Sequence, residues 1–186
     1  MSEINLGKAW PLGSTLTKRG VNFSIAAPNA SKVELLIFNS SDSQTPSKVI
    51  SLLDTHKSGD YWHIEVEGLK VGCAYGFRVF NTNKSNHKQF YPDQVLLDPA
   101  TRAISGWDVY KRNSINNTSS NIDQCLKSIV TERDEFDFYS HPRPRHPWNK
   151  TIIYELHVGG FTNQEHTGLS KGKKGTFLGL IEKIPY

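Results

Sequence analysis

Between Val21 and Val79, apolar side chains recur at every second residue in short runs, each stopped by glycine, proline, asparagine or aspartate. This period constrains the fold more than any other feature of the chain. Successive side chains of a strand point to opposite faces, whereas a helix repeats its apolar face about every 3.6 residues. Val21, Phe23 and Ile25 alternate with Asn22 and Ser24, and Pro28-Asn29 ends the run. Val33 to Phe38 is almost continuously apolar, as expected of a strand buried inside a sandwich. After a polar turn from Ser40 to Pro46, Val49 to Leu53 resumes. Past the turn at Ser58-Gly59-Asp60, Trp62, Ile64 and Val66 oppose His63 and Glu65; beyond Gly68 to Gly72, Tyr75, Phe77 and Val79 oppose Gly76 and Arg78. Short alternating strands at this spacing predict an all-β, antiparallel β-sandwich.

The pattern then changes. Asn81 to His87 is polar, and Tyr91-Pro92-Asp93 and Leu96-Leu97-Asp98-Pro99 form an extended passage. Gly106 to Tyr139 has no sustained period, apart from one short strand expected at Leu126 to Val130. The prolines of His141 to Pro147 push their preceding residues out of the helical region and mark a boundary. Thr151 to Val158 has strand composition, Gly159-Gly160 opens a Gly/Lys loop to Gly175, and Thr176 to Ile184 carries Phe177, Leu180, Ile181 and Ile184 at helical spacing. A sandwich over 1–100, an irregular linker over 101–150 and a β/α unit over 151–186 follow. A lone β/α unit cannot bury its own faces, so 151–186 is expected to be an incomplete start of a larger fold.

Composition excludes several functions. With 37% hydrophobic and 22% charged residues the chain is that of an ordinary globular protein. The net charge of +4 is scattered, and Lys171, Lys173 and Lys174 sit among glycines as a solvated loop, so no nucleic-acid partner is expected. Two cysteines, Cys73 and Cys125, are too few for a disulfide scaffold. No apolar run approaches the ~20 residues of a membrane span, and the first twenty residues have no signal-peptide core. The expectation is a cytoplasmic protein, in which sequons such as Asn22-Phe23-Ser24 and Asn39-Ser40-Ser41 are composition rather than glycosylation sites.

Several passages, in series, carry a resemblance. They are Pro11 to Ser14, Gly20 to Ser24, Ala30 to Leu35, Tyr61 to His63, Gly72 to Val79, Gln89 to Pro99, Pro147 to Val158 and Gly175 to Leu180. In this order they resemble isoamylase and the bacterial glycogen debranching enzymes of the α-amylase superfamily. The resemblance implies an immunoglobulin-like β-sandwich of the carbohydrate-binding type, then the first β/α unit of a (β/α)₈ barrel. It implies a glycoside hydrolase acting on α-1,6 branch linkages of glycogen or a related α-glucan, with an α-glucan and the catalytic barrel as partners and no cofactor. The carboxylates of that family lie on the fourth, fifth and seventh barrel strands, so no catalytic residue is expected here, and the chain alone is expected to be inactive. One departure is Gly159-Gly160, where the family commonly has arginine after His-Val. The rivals are a non-catalytic glucan-binding or scaffolding module, and the N-terminal part of an α-glucan branching enzyme.

Individual residues are read against plainer alternatives. Glu155 and His157 share a face of the expected strand, but in the resemblance that strand is structural. His141, His146, His157 and His166 lack the paired spacing of a zinc site, so no metal is expected. The loop Gly168 to Thr176 lacks the Gly-Lys-Ser/Thr triplet of a phosphate loop. Of Trp10, Trp62, Trp107 and Trp148, Trp62 belongs to an inward-facing set, whereas Trp107 lies in a polar stretch and is the one candidate for glucan binding by ring stacking.

Overall fold

A computed structural model describes residues 3–40, 42–81, 93–112, 120–132, 140 and 144–185. It divides into two compact units, Met1–Glu135 and Phe136–Tyr186.

The first unit is built from two antiparallel sheets. The strands are β1 (Ile4–Asn5), β2 (Gly13–Leu16), β3 (Gly20–Ala26), β4 (Lys32–Phe38), β5 (Lys48–Leu52), β6 (Lys57–Ser58), β7 (Tyr61–Glu67), β8 (Ala74–Phe80), β9 (Ala103–Ser105) and β10 (Lys127–Ile129). One sheet runs β1-β7-β3-β2 with β6 paired to β7, the other β5-β4-β8-β10-β9. The alternating residues meet between them. Val21, Phe23, Ile25, Trp62, Ile64 and Val66 from one sheet pack with Val33, Leu35, Ile37, Tyr75, Phe77 and Val79 from the other. Phe23, Tyr75 and Phe77 stack edge to face, with centroids 4.8 and 5.9 Å apart.

Both outer faces are also covered, and by peptide backbone. Residues 6–9 lie across the first sheet as a strap. Asn22 Oδ1 accepts from Lys8 N–H at 2.6 Å while Asn22 Nδ2 donates to Lys8 C=O at 2.9 Å. Ser24 Oγ donates to Ala9 C=O at 2.7 Å, and His63 Nδ1 lies 2.8 Å from Leu6 C=O. The acceptor there is a carbonyl, so His63 carries its proton on Nδ1 and receives Ser58 Oγ at Nε2, 2.8 Å away. The strap approaches this closely because Gly7 has φ +68° and no side chain; a Cβ there would lie 2.4 Å from Asn22 Oδ1.

The second sheet is covered in the same manner. Asn121 Oδ1 accepts from Val95 N–H at 2.7 Å and Asn121 Nδ2 donates to Val95 C=O at 3.1 Å. Val95 packs with Leu36, Phe38, Ala74 and Cys125 in a second apolar cluster, over the space left by Gly76. Leu96 exchanges backbone bonds of 2.7 and 3.0 Å with Phe77. The near-continuous apolar run of β4 is explained: Val33, Leu35 and Ile37 face the main core, and Leu36 and Phe38 face this second one.

One boundary differs from the sequence reading. The sandwich does not end at residue 100, because β9 and β10 from the expected linker complete the second sheet, with Ser128 opposite Tyr75 and Ile104. The expected strand at Leu126 to Val130 is β10, and β9 was not anticipated. Residues Gln89 to Pro92 and His141 to Arg143 lie outside the described residues.

In the second unit the expected strand at Thr151 to Val158 is absent. Residues 151–157 have no regular structure, and Ile152 is 94% exposed. Strand propensity reflects fit to a pleated, half-buried surface, and no neighbouring strand is present among the described residues to pair with this run. His157, read as a strand residue, instead caps a short helix, α1 (Val158–Thr162), by accepting Gly160 N–H at Nδ1, 2.9 Å. Gly159 and Gly160, read as loop, are inside that helix. The expected helix is present as α2 (Phe177–Lys183), with Thr176 as its N-cap. Thr162 is fully buried and joins the two segments, donating to Val158 C=O and accepting Gly175 N–H at 3.0 Å.

Candidate functional site

Three of the four tryptophans are exposed. Trp62 is in the core as read, its Nε1 donating to Ala27 C=O at 3.3 Å. Trp10 stands at the end of the strap, and Trp148 lies in the second unit within a single 3₁₀ turn at 148–150. Trp107 is paired with another ring, Tyr110, and its chain neighbours Gly106 and Asp108 line a depression.

Trp107 follows β9 at a tight reversal. Gly106 has φ +98°, and a Cβ there would meet the Cys125 carbonyl at 3.0 Å, so the position demands glycine on two counts. The Gly106 carbonyl accepts from Val109 N–H at 3.3 Å and Tyr110 N–H at 3.0 Å, curling the chain over itself. The turn presents Trp107, 67% exposed, edge to face with Tyr110 at 5.9 Å. The result is a flat apolar ring surface held by backbone rather than by burial.

Beside it lies a small depression of about 40 Å³ lined by Asp42, Gln44, Gly106, Asp108, Val109, Asp123 and Lys127. Three stretches far apart in sequence meet there: the β4–β5 turn, the Trp107 turn and the segment leading into β10. Lys127 is 2% exposed, with Nζ 5.0 Å above the Phe38 ring. Asp108 and Asp123 are exposed at the surface, and Asp123 accepts from Gln124 Nε2 at 3.3 Å. The lining is rich in hydrogen-bond acceptors, with three carboxylates, Asp42, Asp108 and Asp123, and it includes both chain neighbours of Trp107. The alternation of the sequence indicated none of Tyr110, Gln44, Asp108 or Asp123; Gln44 and Asp123 sit in polar stretches without a period.

The other titratable groups serve the scaffold. Tyr75 OH donates to Asp98 Oδ2 at 2.7 Å, and Asp98 receives Ala100 N–H at Oδ1, 2.8 Å, while Asp98 N–H donates to Ser128 Oγ at 3.0 Å. Burial raises the Tyr75 hydroxyl far above its ordinary value, the Asp98 charge adding to the effect; burial likewise raises Asp98 against the opposing pull of its hydrogen bonds. Burial, and secondarily the charge of His63, lowers His56, whose Nδ1 accepts Leu53 N–H at 3.1 Å. Cys73 and Cys125 are free thiols raised by burial. Glu155 and His166 are exposed, as is His146, and His157 is the helix cap; His141 lies outside the described residues. Among the described residues no three His, Cys, Asp or Glu side chains converge as metal ligands, and no helix is long and apolar enough to cross a membrane.

Residues 11–100 match the family described as carbohydrate-binding module 48, the isoamylase N-terminal domain. The glycogen debranching enzyme of Pectobacterium atrosepticum is 33% identical over 186 residues, covering 97% of this chain and 27% of that protein. That of Dickeya chrysanthemi is 32% identical over 190 residues, covering 99% and 28%. The chain thus spans about a quarter of the length of the curated relatives it matches. Among solved structures, the pullulanase from Bacillus acidopullulyticus superposes with a TM-score of 0.62 at 21% identity, over 91% of this chain and 18% of that one. The catalytic module of the multi-modular glycogen-degrading pneumococcal virulence factor SpuA superposes with 0.65 at 19% identity, over 97% and 25%. At these identities the superpositions speak to fold alone.

Proposed function

We propose, from the match of residues 11–100 to carbohydrate-binding module 48, the isoamylase N-terminal domain, that the chain is the N-terminal portion of a glycogen debranching-type glycoside hydrolase. In this reading the longer protein hydrolyses α-1,6 branch linkages of glycogen or a related α-glucan, and these 186 residues contribute no catalytic acid. The sandwich, of the immunoglobulin-like kind, holds α-glucan against the Trp107 turn. Residues 151–186 form the first β/α unit of the catalytic barrel. Trp148, Ile152, Ile153, Phe177, Ile181 and Ile184, all exposed, are the side chains that further barrel strands and helices cover. Residues 151–157 become a strand when a neighbour pairs with them. A cytoplasmic setting suits a glycogen substrate and two free thiols.

The observation carrying the glucan-binding reading is Trp107: a large, exposed ring on a glycine-anchored turn beside a polar depression. A pyranose has one apolar face for such a ring and a hydroxyl rim for acceptors. Electrophoresis of the chain in native gels containing glycogen tests the reading. Mobility is expected to fall as glycogen is added and to be restored in Trp107→Ala. Mobility of the unaltered chain that ignores glycogen at every concentration overturns it.

A further inference from the structure

The second sheet ends in an open edge, and its backbone pattern dictates what can pair with it. β5 is the longest strand with a neighbour on one side only. Phe77 exchanges both of its backbone bonds with Leu96. Its partner in β4, Leu35, therefore turns its own N–H and C=O the other way, to Ile50 of β5. Backbone groups alternate sides along a strand, so Val49 and Ser51 point theirs out from the open edge. Among the described residues no hydrogen bond reaches these groups. The edge is closed at both ends. Ser47 N–H donates inward to Ile37 C=O at 2.8 Å. Leu53 N–H donates to His56 Nδ1 at 3.1 Å, and Leu53 C=O accepts from His56 N–H at 2.8 Å.

An unpaired edge is a template for another strand, and proteins usually blunt it with proline or charge. β5 has Lys48 at its first position and no proline, while Val49 and the adjoining Leu53 are 45% and 62% exposed. A second copy of the same edge fits it in one register only. Two-fold antiparallel pairing requires outward residues to face outward residues. Val49 opposite Val49 sets Ser51 against Ser47, and Ser51 opposite Ser51 sets Val49 against Leu53. In either register one member already has its N–H bonded within its own chain. Val49 opposite Ser51 uses the N–H and C=O of both residues in both copies, with Ile50 opposite Ile50 at the centre. Lys48 then lies opposite Leu52, so no like charges meet. The exposed Val49 and Leu53 side chains of the two copies become diagonal neighbours across the seam, within reach of one another.

We propose that two copies of this chain pair through β5, Val49 to Ser51 in antiparallel register, joining their second sheets into one continuous sheet. The seam is small, so the dimer belongs to the weak, concentration-dependent class.

Sedimentation equilibrium of the full 186-residue chain over a wide concentration range tests the pairing, and a reversible monomer–dimer equilibrium is expected. Ser51→Pro removes an outward N–H that no bond within the chain uses, a change that an edge strand tolerates. By symmetry it deletes one bond from each copy, and dimerisation should weaken about tenfold or more. Cysteine variants read the register. Val49→Cys and Ser51→Cys, oxidised as a mixture, set two thiols across a hydrogen-bonded pair with Cα atoms about 5.5 Å apart, within disulfide range. Either variant alone sets its thiols on a diagonal, about 7–8 Å apart and out of range. The mixture should cross-link and the single variants should not, with the unaltered chain as the blank for Cys73 and Cys125. A chain that stays monomeric at every concentration overturns the proposal. So does a dimer that Ser51→Pro leaves unweakened, since it forms through another surface such as the exposed apolar side chains of 151–186. If Ser51→Pro unfolds the chain, the cysteine mixture decides: cross-linking no stronger than in either variant alone overturns the register and the pairing with it.

Discussion

Replacing Asn22 with alanine should release the strap without unfolding the sandwich. The side chain makes two hydrogen bonds to one residue, Lys8, at 2.6 and 2.9 Å. Each is worth about 0.5–1.5 kcal/mol net, so their loss alone costs roughly 1–3 kcal/mol. Keeping the strap in place would in addition leave the Lys8 N–H and C=O facing an apolar methyl group, at about 1–3 kcal/mol for each unsatisfied group. Lifting it forfeits two more hydrogen bonds, from Ser24 to Ala9 and from His63 to Leu6, again roughly 1–3 kcal/mol. Lifting also returns backbone entropy of about 1–2 kcal/mol for each residue freed. Release is the cheaper outcome. The main core, built from Val21, Phe23 and Ile25 on the opposite face of the strand from Asn22, remains intact. Hydrogen exchange followed by mass spectrometry is expected to show the peptide around Lys8 exchanging at least tenfold faster, and trypsin to cut after Lys8. The thermal midpoint should fall by only a few degrees, at about 4 °C per kcal/mol. Exchange around Lys8 that stays as slow as in the unaltered chain would refute the reasoning: the short pairing of Ile4 and Asn5 with Val66 and Glu65 would then suffice to hold the strap.

Three further outcomes are expected. Tyr75→Phe removes the 2.7 Å donor to buried Asp98 and should cost about 1–3 kcal/mol in urea unfolding. Because burial raises Tyr75, the native state keeps a proton that the unfolded chain loses near pH 10; that stability is complete below pH 10 and falls as pH rises beyond it, and the fall should be shallower in Tyr75→Phe. His56, lowered by burial, gives the opposite sign: its contribution is present above pH 6.5 and is lost as pH falls through its native value, so His56→Gln should flatten the acid side of the midpoint-versus-pH curve. Ending the chain after Glu135 should leave a cooperative unfolding transition with its midpoint little changed, whereas ending it after Ala100 deletes β9 and β10 and should abolish that transition in circular dichroism.

The core was legible because its signal is local. Trp62, Ile64 and Val66, or Tyr75, Phe77 and Val79, announce a face within seven residues. Exposure of Trp107 was legible for the same reason, in a stretch with no apolar period around it. The opposite face misled: Asn22, Ser24 and His63 alternate like solvent-facing residues, yet all three are buried. A polar side chain is satisfied equally by water or by a peptide group, and composition does not distinguish the two. β9 has three residues, too short for a period of two to show, and nothing local ties the strand expected at Leu126 to Val130, β10, to the sandwich, so the sequence pattern ends the sandwich at residue 100. Residues 151–157 have the composition of a strand without a partner to make them one. The depression beside Trp107 joins positions 42–44, 106–109 and 123–127, and no local pattern brings together residues that far apart.

The Asn121 clamp and β10 have a consequence for synthesis. The second apolar cluster, with Leu36, Phe38, Ala74 and Val95, is closed by Cys125 and by the Asn121 amide gripping Val95. Every other strand of the two sheets up to β8 has been made by residue 80. At about 5–20 residues per second, the growing chain needs roughly 2–6 seconds to pass from residue 100 to residue 130. Throughout that interval a nearly finished sandwich displays Leu36 and Phe38 on its outer face, with β8 still lacking its neighbour β10. A nascent chain in that state offers hydrophobic surface beside an open strand edge, which is what chaperones bind and what neighbouring chains on the same message pair with. Slow codons between positions 100 and 130 would lengthen the exposure, and the yield of folded protein depends on how fast that short stretch is translated.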